Sequence, residues 1–596
     1  MRSATLALVS LSAVVGVLDG SSAQHHIVFG RIGPAQSQLF IANGDGTNER
    51  PLLPLTGLDY SPSLAPDRQW IVFTSERDGS ADIYRVRPDG SDLQRLTDDP
   101  AYDDQAVLSP DGKTVAFVSS RADGRAHLFL LDVESRRATQ LTSGEGGDFR
   151  PAWSPDGNML AFTSDRNTHS PNLPGRWERL QSTRLYVIQR DGKGLRALTR
   201  GRGVAGAPRW ASDGKRIYYY ETTELGGWYA QRGDLPRGTT QIVSIDITTG
   251  SRKELTQGDM ARLWPQPFST GGFGFLEKKT GGNALIHTVS ATGAVSDGPQ
   301  GQVRGPSWSA DGAQLVFYRV APPSGGAFFP QFSKSSDFKF TRIHNGNFPA
   351  FSPDGTKFVV GIERNGPNDE ALEIAQPDGK DRKTLFYKEG LSAFTPAWSP
   401  DGNQIAFSVG HYFRPAGHPK SDVGLINADG SGFRVLTNDE SNSGFPTWSP
   451  DGRRIVYKKD EHLAILTLAD GQVRNLTEPG PQHDNFPQWS PKGDWIAFTS
   501  DRASDEDFRI YLVRPDGREL HELTHSPGDG HSAWSPDGEW IIYSSAQKGF
   551  KDERALLEAI PQPYGELFII HPDGTGMRQL TDNQWEDATP AWMPER

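Results

Sequence analysis

Five histidines and a set of aspartates are the residues whose types could carry chemistry in this chain. His344, His411, His418, His483 and His531 lie in its second half, with Asp484 and Asp529 among them. Neutral imidazoles joined by a carboxylate suit Zn, Mn or Ni. If they converge, they form a divalent-metal site that could assist cleavage of a polysaccharide. If they are dispersed, they are surface histidines. A second set is Asp104, Asp148, Asp484, Asp529 and Asp587, joined by Asp103, Arg150, Asn345 and Glu586 in similar sequence contexts. Like charges around a low-dielectric mouth focus a field that attracts cations or basic segments. The plain alternative is the solvated surface of an acidic protein. Cysteine is absent, which excludes thiolate metal sites, disulfides and a cysteine nucleophile. There is no Gly-x-Ser-x-Gly elbow, P-loop, dinucleotide fingerprint or His-Glu-x-x-His. Any catalytic site must therefore be assembled from dispersed residues.

What could bring such residues together is a repeat. Trp448-Ser449-Pro450-Asp451-Gly452 precedes Arg453-Arg454-Ile455-Val456-Tyr457. Ser-Pro-Asp-Gly is a tight turn: proline presets φ, and Asp and Gly suit the positions after it. The flanking apolar and β-branched residues read as two strands of a hairpin, and Trp448 is the large group it must bury. The same words recur at Trp153, Trp398 and Trp534. Looser copies start at Leu108, Trp210, Trp308, Phe351 and Trp489. A second tight turn recurs as Pro88-Asp89-Gly90, Pro377-Asp378-Gly379 and Pro572-Asp573-Gly574. Leu-Thr closes almost every unit, as in Leu96-Thr97, Leu436-Thr437 and Leu523-Thr524. Each unit thus predicts four short antiparallel strands, A to D, in a meander. One such sheet cannot bury both faces, and radial stacking of many sheets solves this.

The units resemble the PD40 (WD40-like) repeats of the TolB-like propeller family. The residues that carry the resemblance are the Trp-Ser-Pro-Asp-Gly turns, then Ile541-Ile542-Tyr543, Leu567-Phe568-Ile569-Ile570 and Leu580-Thr581. It spans nearly all of residues 27–596 and implies an all-β fold of four-stranded antiparallel blades. TolB joins one six-bladed ring to an N-terminal α/β domain. Here the repeats begin at once and are about twice as numerous, which implies a relative in architecture. The expected layout is two six-bladed rings, 24–309 and 310–596, because a single ring of twelve would leave an unfillable channel. Residues 27–56 would supply strands B, C and D of the first closing sheet, with Val303–Trp308 as its strand A. Ala588–Trp592 would complete the sheet begun by residues 314–345.

The rest of the sequence sets compartment and partners. Residues 1–23 carry Arg2, an apolar run from Ala4 to Leu18, and Ser21-Ser22-Ala23 before the first repeat. That is the pattern of a secretory signal peptide, so the expected location is periplasmic or secreted. No later segment is long and apolar enough to span a bilayer. Net charge is −12 among 596 residues, with no basic stripe, which argues against nucleic acid. In meander geometry the A–B and C–D turns share one face, where they are tight. The long insertions 167–183, 221–239, 319–338, 410–421 and 546–565 share the other. They bring Trp228, Tyr229, Phe328 and Phe329, and an expected short helix at Asp552–Ile560. The first functional reading is a non-catalytic scaffold that binds a protein, a peptide or a glycan through this face and needs no cofactor. The alternative is a metal-assisted polysaccharide lyase or hydrolase centred on the five histidines, as propeller oligogalacturonate lyases use a His-rich metal site.

Overall fold

The tight turns and short apolar strands dictate sheets rather than helices. The computed structural model describes residues 9–10, 26–32, 36–168, 181–231, 237–278, 284–321, 331–336, 339–345, 347–364, 369–377, 380–411, 420–503, 508–526, 528–548, 552 and 565–593. Of residues 1–23, all but Val9–Ser10 lie outside this set, as do most of insertions 167–183, 319–338, 410–421 and 546–565, with Phe328 and Phe329. Among the described residues there are twelve antiparallel sheets, eleven of four strands and one of five. The one helix described, Glu224–Gln231, falls in the insertion after Thr222. Thr223 Oγ1 accepts the Gly226 N–H at 2.9 Å and caps it. Gly226-Gly227 in its first turns hides it from a propensity reading.

Each repeated word has a job in the meander. In the A–B turn, Ser449 Oγ donates to Asp451 Oδ1 at 2.5 Å and accepts the Arg454 N–H at 2.9 Å. Gly452 takes φ 67°, which a β-carbon would strain. The Thr of Leu-Thr reaches back to the neighbouring strand. Thr97, Thr437 and Thr524 Oγ1 accept N–H bonds from Ile83, Val423 and Ile510 at 2.9, 2.9 and 3.0 Å. The tryptophans bridge sheets: Trp153, Trp448 and Trp534 donate Nε1–H to the Val107, Ala397 and Gln488 carbonyls of the preceding sheet, at 3.2, 3.1 and 3.0 Å. Trp153, Trp448 and Trp489 are buried, while Trp398 and Trp534 are half-buried.

Strand A of each sheet packs on strand A of the next, and the contacts form two closed circuits. The first runs through Asp59–Leu64, Asp103–Leu108, Asp148–Trp153, Val204–Trp210, Ala261–Pro267 and Val303–Trp308, and back. The second runs through Asn347–Phe351, Ser392–Trp398, Ser443–Trp448, Asp484–Trp489, Asp529–Trp534 and Glu586–Met593.

The closing sheets pair differently from the expectation. Val303–Trp308 does join the sheet of residues 36–51, but the strand between them is Gln314–Ala321, in register from Gln314 opposite Asn43 to Ala321 opposite Gln36. His26–Ile32 lies instead between Glu586–Met593 and Gln331–Ser336. The two strands B are thus exchanged between the circuits. Both read as short apolar runs, so pattern could not assign them. Packing does: Leu315, Val316 and Phe317 are fully buried in the first circuit, and Ile27 and Phe29 pack with Trp540, Ile542 and Trp592 in the second.

Candidate functional site

The aspartates at the start of strand A sit where the repeat puts them, but they face inward. Asp104, Asp148, Asp484, Asp529 and Asp587 are each 0 % exposed, so they form no solvent-facing acidic ring. In four of the sheets the Asp that opens strand A is held by a latch. There strand B runs out in Ser-x-Arg, and the Arg turns back onto the Asp of strand A. Ser75 Oγ donates to Asp59 Oδ1 at 2.5 Å, and Arg77 Nη2 to its Oδ2 at 2.8 Å. Ser500 and Arg502 do the same to Asp484 Oδ1, at 2.6 and 2.7 Å. Arg121 holds Asp103, and Arg166 holds Asp148. Each guanidinium also lies over the aromatics of its sheet, such as Arg502 at 5.0 Å from the Phe498 ring. Burial pushes the Asp148 carboxyl up, but hydrogen bonds from His127 and Arg166 outweigh it and hold the group below its usual range. Asp104 accepts from Thr74 Oγ1 at 2.5 Å, and burial wins there, raising its carboxyl to about 6. Asp587 accepts from Asn583 Nδ2 at 2.9 Å. The latch is legible in the sequence as Ser-x-Arg sixteen residues after the Asp.

The described histidine side chains have separate surroundings. His483 Nδ1 lies 2.6 Å from Asp501 Oδ2, and that hydrogen bond raises its pKa. His531 stands against Phe486, 4.4 Å between ring centroids, and burial alone lowers its pKa to about 4. The His411 N–H bonds to the Lys420 carbonyl. The His344 side chain and all of His418 lie outside the described residues. Among the described residues no group of three or more His, Asp or Glu is placed to hold a metal ion.

The residues that the sequence reading missed line the two channels. Every inner strand has a bulge, and the residue there takes a left-handed conformation. In the second circuit these are Phe348, Thr395, Phe445, Phe486, His531 and Thr589, with φ between 46° and 55°. Such a conformation strains a non-glycine residue and is held by the surrounding sheet. The side chains of Phe348, Phe445, Phe486 and His531 meet one another. Phe445 and Phe486 are 4.6 Å apart edge to face, and Phe348 touches both Phe445 and His531 at 6.2 Å. Phe394 packs behind them. The rings plug the channel. On the tight-turn side a cavity of about 560 Å³ remains, bounded by Pro353, Pro400, Pro450, Pro491 and Pro536 of the A–B turns. A sequence signal existed: Phe-Pro recurs with its Phe at 348, 445 and 486, three residues before the Trp or Phe of each turn.

The first circuit presents Ser61, Gln105, Arg150, Ala207, Trp264 and Gly305 at the equivalent positions. Its loop-rich side touches residues of the second circuit. Arg150 Nε donates to Asp552 Oδ1 at 3.0 Å, Arg150 Nη2 bonds Asp552 Oδ2, and Gln181 Nε2 donates to the Asp552 carbonyl at 2.8 Å. Trp585 packs on Tyr60 at 5.9 Å, and Ser120 Oγ donates to Asp582. Tyr60 OH donates to Glu76 at 2.9 Å and bonds the Tyr102 hydroxyl. Tyr60, Ser120, Arg150 and Gln181, on the side where the long insertions were expected, thus contact another part of the same chain.

The comparisons agree with the repeat. The TolB beta propeller domain family, PD40, matches residues 23–123, 108–172 and 370–562. An uncharacterized protein of Agrobacterium fabrum is 42% identical over 79 residues, which is 13% of this chain and 23% of that one. The Tol-Pal system protein TolB of Bordetella pertussis is 40% identical over 57 residues, 9% of this chain and 13% of that one. The matches thus span under a quarter of the length of these relatives. The solved structure of a putative TolB from Agrobacterium tumefaciens is 21% identical, covers 49% of this chain and 100% of its own, and superposes with a TM-score of 0.39.

Proposed function

Because this chain belongs to the TolB beta propeller domain (PD40) family, we propose that it is an exported, non-catalytic scaffold of two six-bladed rings that holds a protein or peptide partner in the plugged channel of the second ring. The observation that carries this reading is the cavity of about 560 Å³ on the tight-turn side, walled by tryptophans and prolines and floored by the Phe445–Phe486–His531 cluster. Rigid apolar concavities of this size hold one anchoring segment of a partner. The ring reading rests on the two closed circuits of inner strands. Export rests on the apolar residues 1–23, and among the described residues no helix is long and apolar enough to cross a membrane.

Affinity capture from envelope extract tests it. Pro450→Arg with Pro491→Arg places two cations at the exposed cavity rim without touching a core residue. The expected result is an envelope protein retained by the parent chain and lost from the variant, with the variant still folded by circular dichroism. Retention that ignores the rim substitutions would refute the site, and no retained protein at all would refute the scaffold reading.

A further inference from the structure

A second concavity lies on the outer side of the first circuit, in the cleft between the sheet of residues 148–197 and the sheet of residues 204–254. Its volume is about 950 Å³. Six arginines line it: Arg184, Arg196, Arg200, Arg202, Arg237 and Arg252. Three carboxylates answer them. Arg202 pairs with Glu224 at 3.1 Å, and Arg252 pairs with Glu221 and with Glu254, the latter at 3.4 Å. Among the described residues of the cleft the arginines outnumber the carboxylates, in a chain whose net charge is −12. Two of these side chains are held by main-chain carbonyls: Arg184 Nε donates to Gly201 O at 3.2 Å, and Arg196 Nη2 to Ile247 O at 2.8 Å. Each guanidinium has five N–H donors, so one such bond fixes its position and leaves donors for a ligand.

The cleft also runs along strand ends. Arg196–Ala197 is the last strand of its sheet, and Arg252–Glu254 the last of its own. A terminal strand offers main-chain groups that an extended peptide can pair with, and a sugar chain or a free anion has no matching ladder. We propose that this cleft is a second binding site, separate from the channel, that takes an extended acidic peptide segment of a partner. The arginines would bind its carboxylates, two-pronged where geometry allows, and the strand edge would fix its direction.

The test uses the full chain and a fluorescent ten-residue glutamate peptide, with its glutamine counterpart as control, read by anisotropy. The glutamate peptide should bind at least about tenfold more tightly at low salt and weaken as ionic strength rises, because exposed charges are screened. Arg184→Gln, Arg196→Gln and Arg200→Gln together should weaken it by a further tenfold or about that. Arg200→Glu alone, at a solvent-exposed side chain, should weaken it in the same direction and guards against misfolding of the triple variant. The Pro450→Arg and Pro491→Arg variant should bind the peptide as the parent does, which separates this site from the channel. Equal binding of the two peptides, or no effect of the arginine variants, overturns the proposal. So does displacement by inorganic phosphate or trigalacturonate at concentrations below that of the peptide, which would assign the cleft to small anions or to an acidic glycan.

Discussion

Replacing Asp552 by alanine should loosen the junction between the two circuits. Asp552 is the carboxylate that meets Arg150 where the first channel opens, and its side chain is 4% exposed against 18% for Arg150. Arg150 occupies a left-handed position at φ 54°, 5.8 Å from the Trp264 ring, so it cannot swing out without disturbing its strand. Removing one partner of a buried pair leaves the other charge desolvated, at a cost of 3–5 kcal/mol or about that. The residual exposure of Arg150 lets some water in, so we expect the low end, about 3 kcal/mol. Arg150→Met with Asp552→Leu removes both charges and should recover most of the loss, since an apolar pair of similar size avoids desolvation altogether. The coupling between the two sites should then be about 2–3 kcal/mol. Urea unfolding of the parent, Arg150→Met, Asp552→Leu and the double variant gives this cycle, followed by tryptophan fluorescence at neutral pH. A linked effect is expected on Asp104, whose carboxyl burial raises to about 6 while Arg150 draws it down. Without Arg150 that group should titrate higher still. Single variants within 1 kcal/mol of the parent, or effects that simply add, would refute the argument that this ion pair locks the circuits together.

Three further outcomes follow from the fold. A fragment of residues 36–321 contains every strand of the first circuit and should fold, whereas 24–309 lacks Gln314–Ala321 and should not; comparison by circular dichroism and urea midpoint decides, and equal stability would refute the exchanged closure. Glu566 is buried, and burial, then Asp587 and Asp582, push its carboxyl well above the ordinary 4.5. The folded chain therefore keeps a proton that the unfolded chain releases, so stability should fall as pH rises above 4.5 towards the folded pKa; Glu566→Gln should flatten that slope in melting temperature against pH. Trp448→Ala removes a buried indole and its bond to the Ala397 carbonyl, and should cost about 3–5 kcal/mol in urea unfolding.

What the sequence by itself determined is whatever depends on neighbours along the chain. Ser449-Pro450-Asp451-Gly452 can only be a tight turn, because its hydrogen bonds close within five residues. Leu-Thr at the end of each unit bonds fourteen residues back, still inside one meander. Those local rules specify the sheet, its size and its repetition. Tertiary structure decided everything that requires choosing between equivalent partners. Ile27–Arg31 and Gln314–Ala321 both read as an apolar strand B, and only the closure of each circuit, with Phe317 stacked on Phe40 and Ile27 packed with Trp592, settles which joins which sheet. The aspartates show the same division. Their position before strand A was readable, but burial turns Asp484 from a surface charge into the acceptor of Ser500 and Arg502. The aromatic plug of Phe348, Phe445, Phe486 and His531 exists only because strands far apart in the chain place these left-handed residues together, where apolar rings find no water to face and pack on one another.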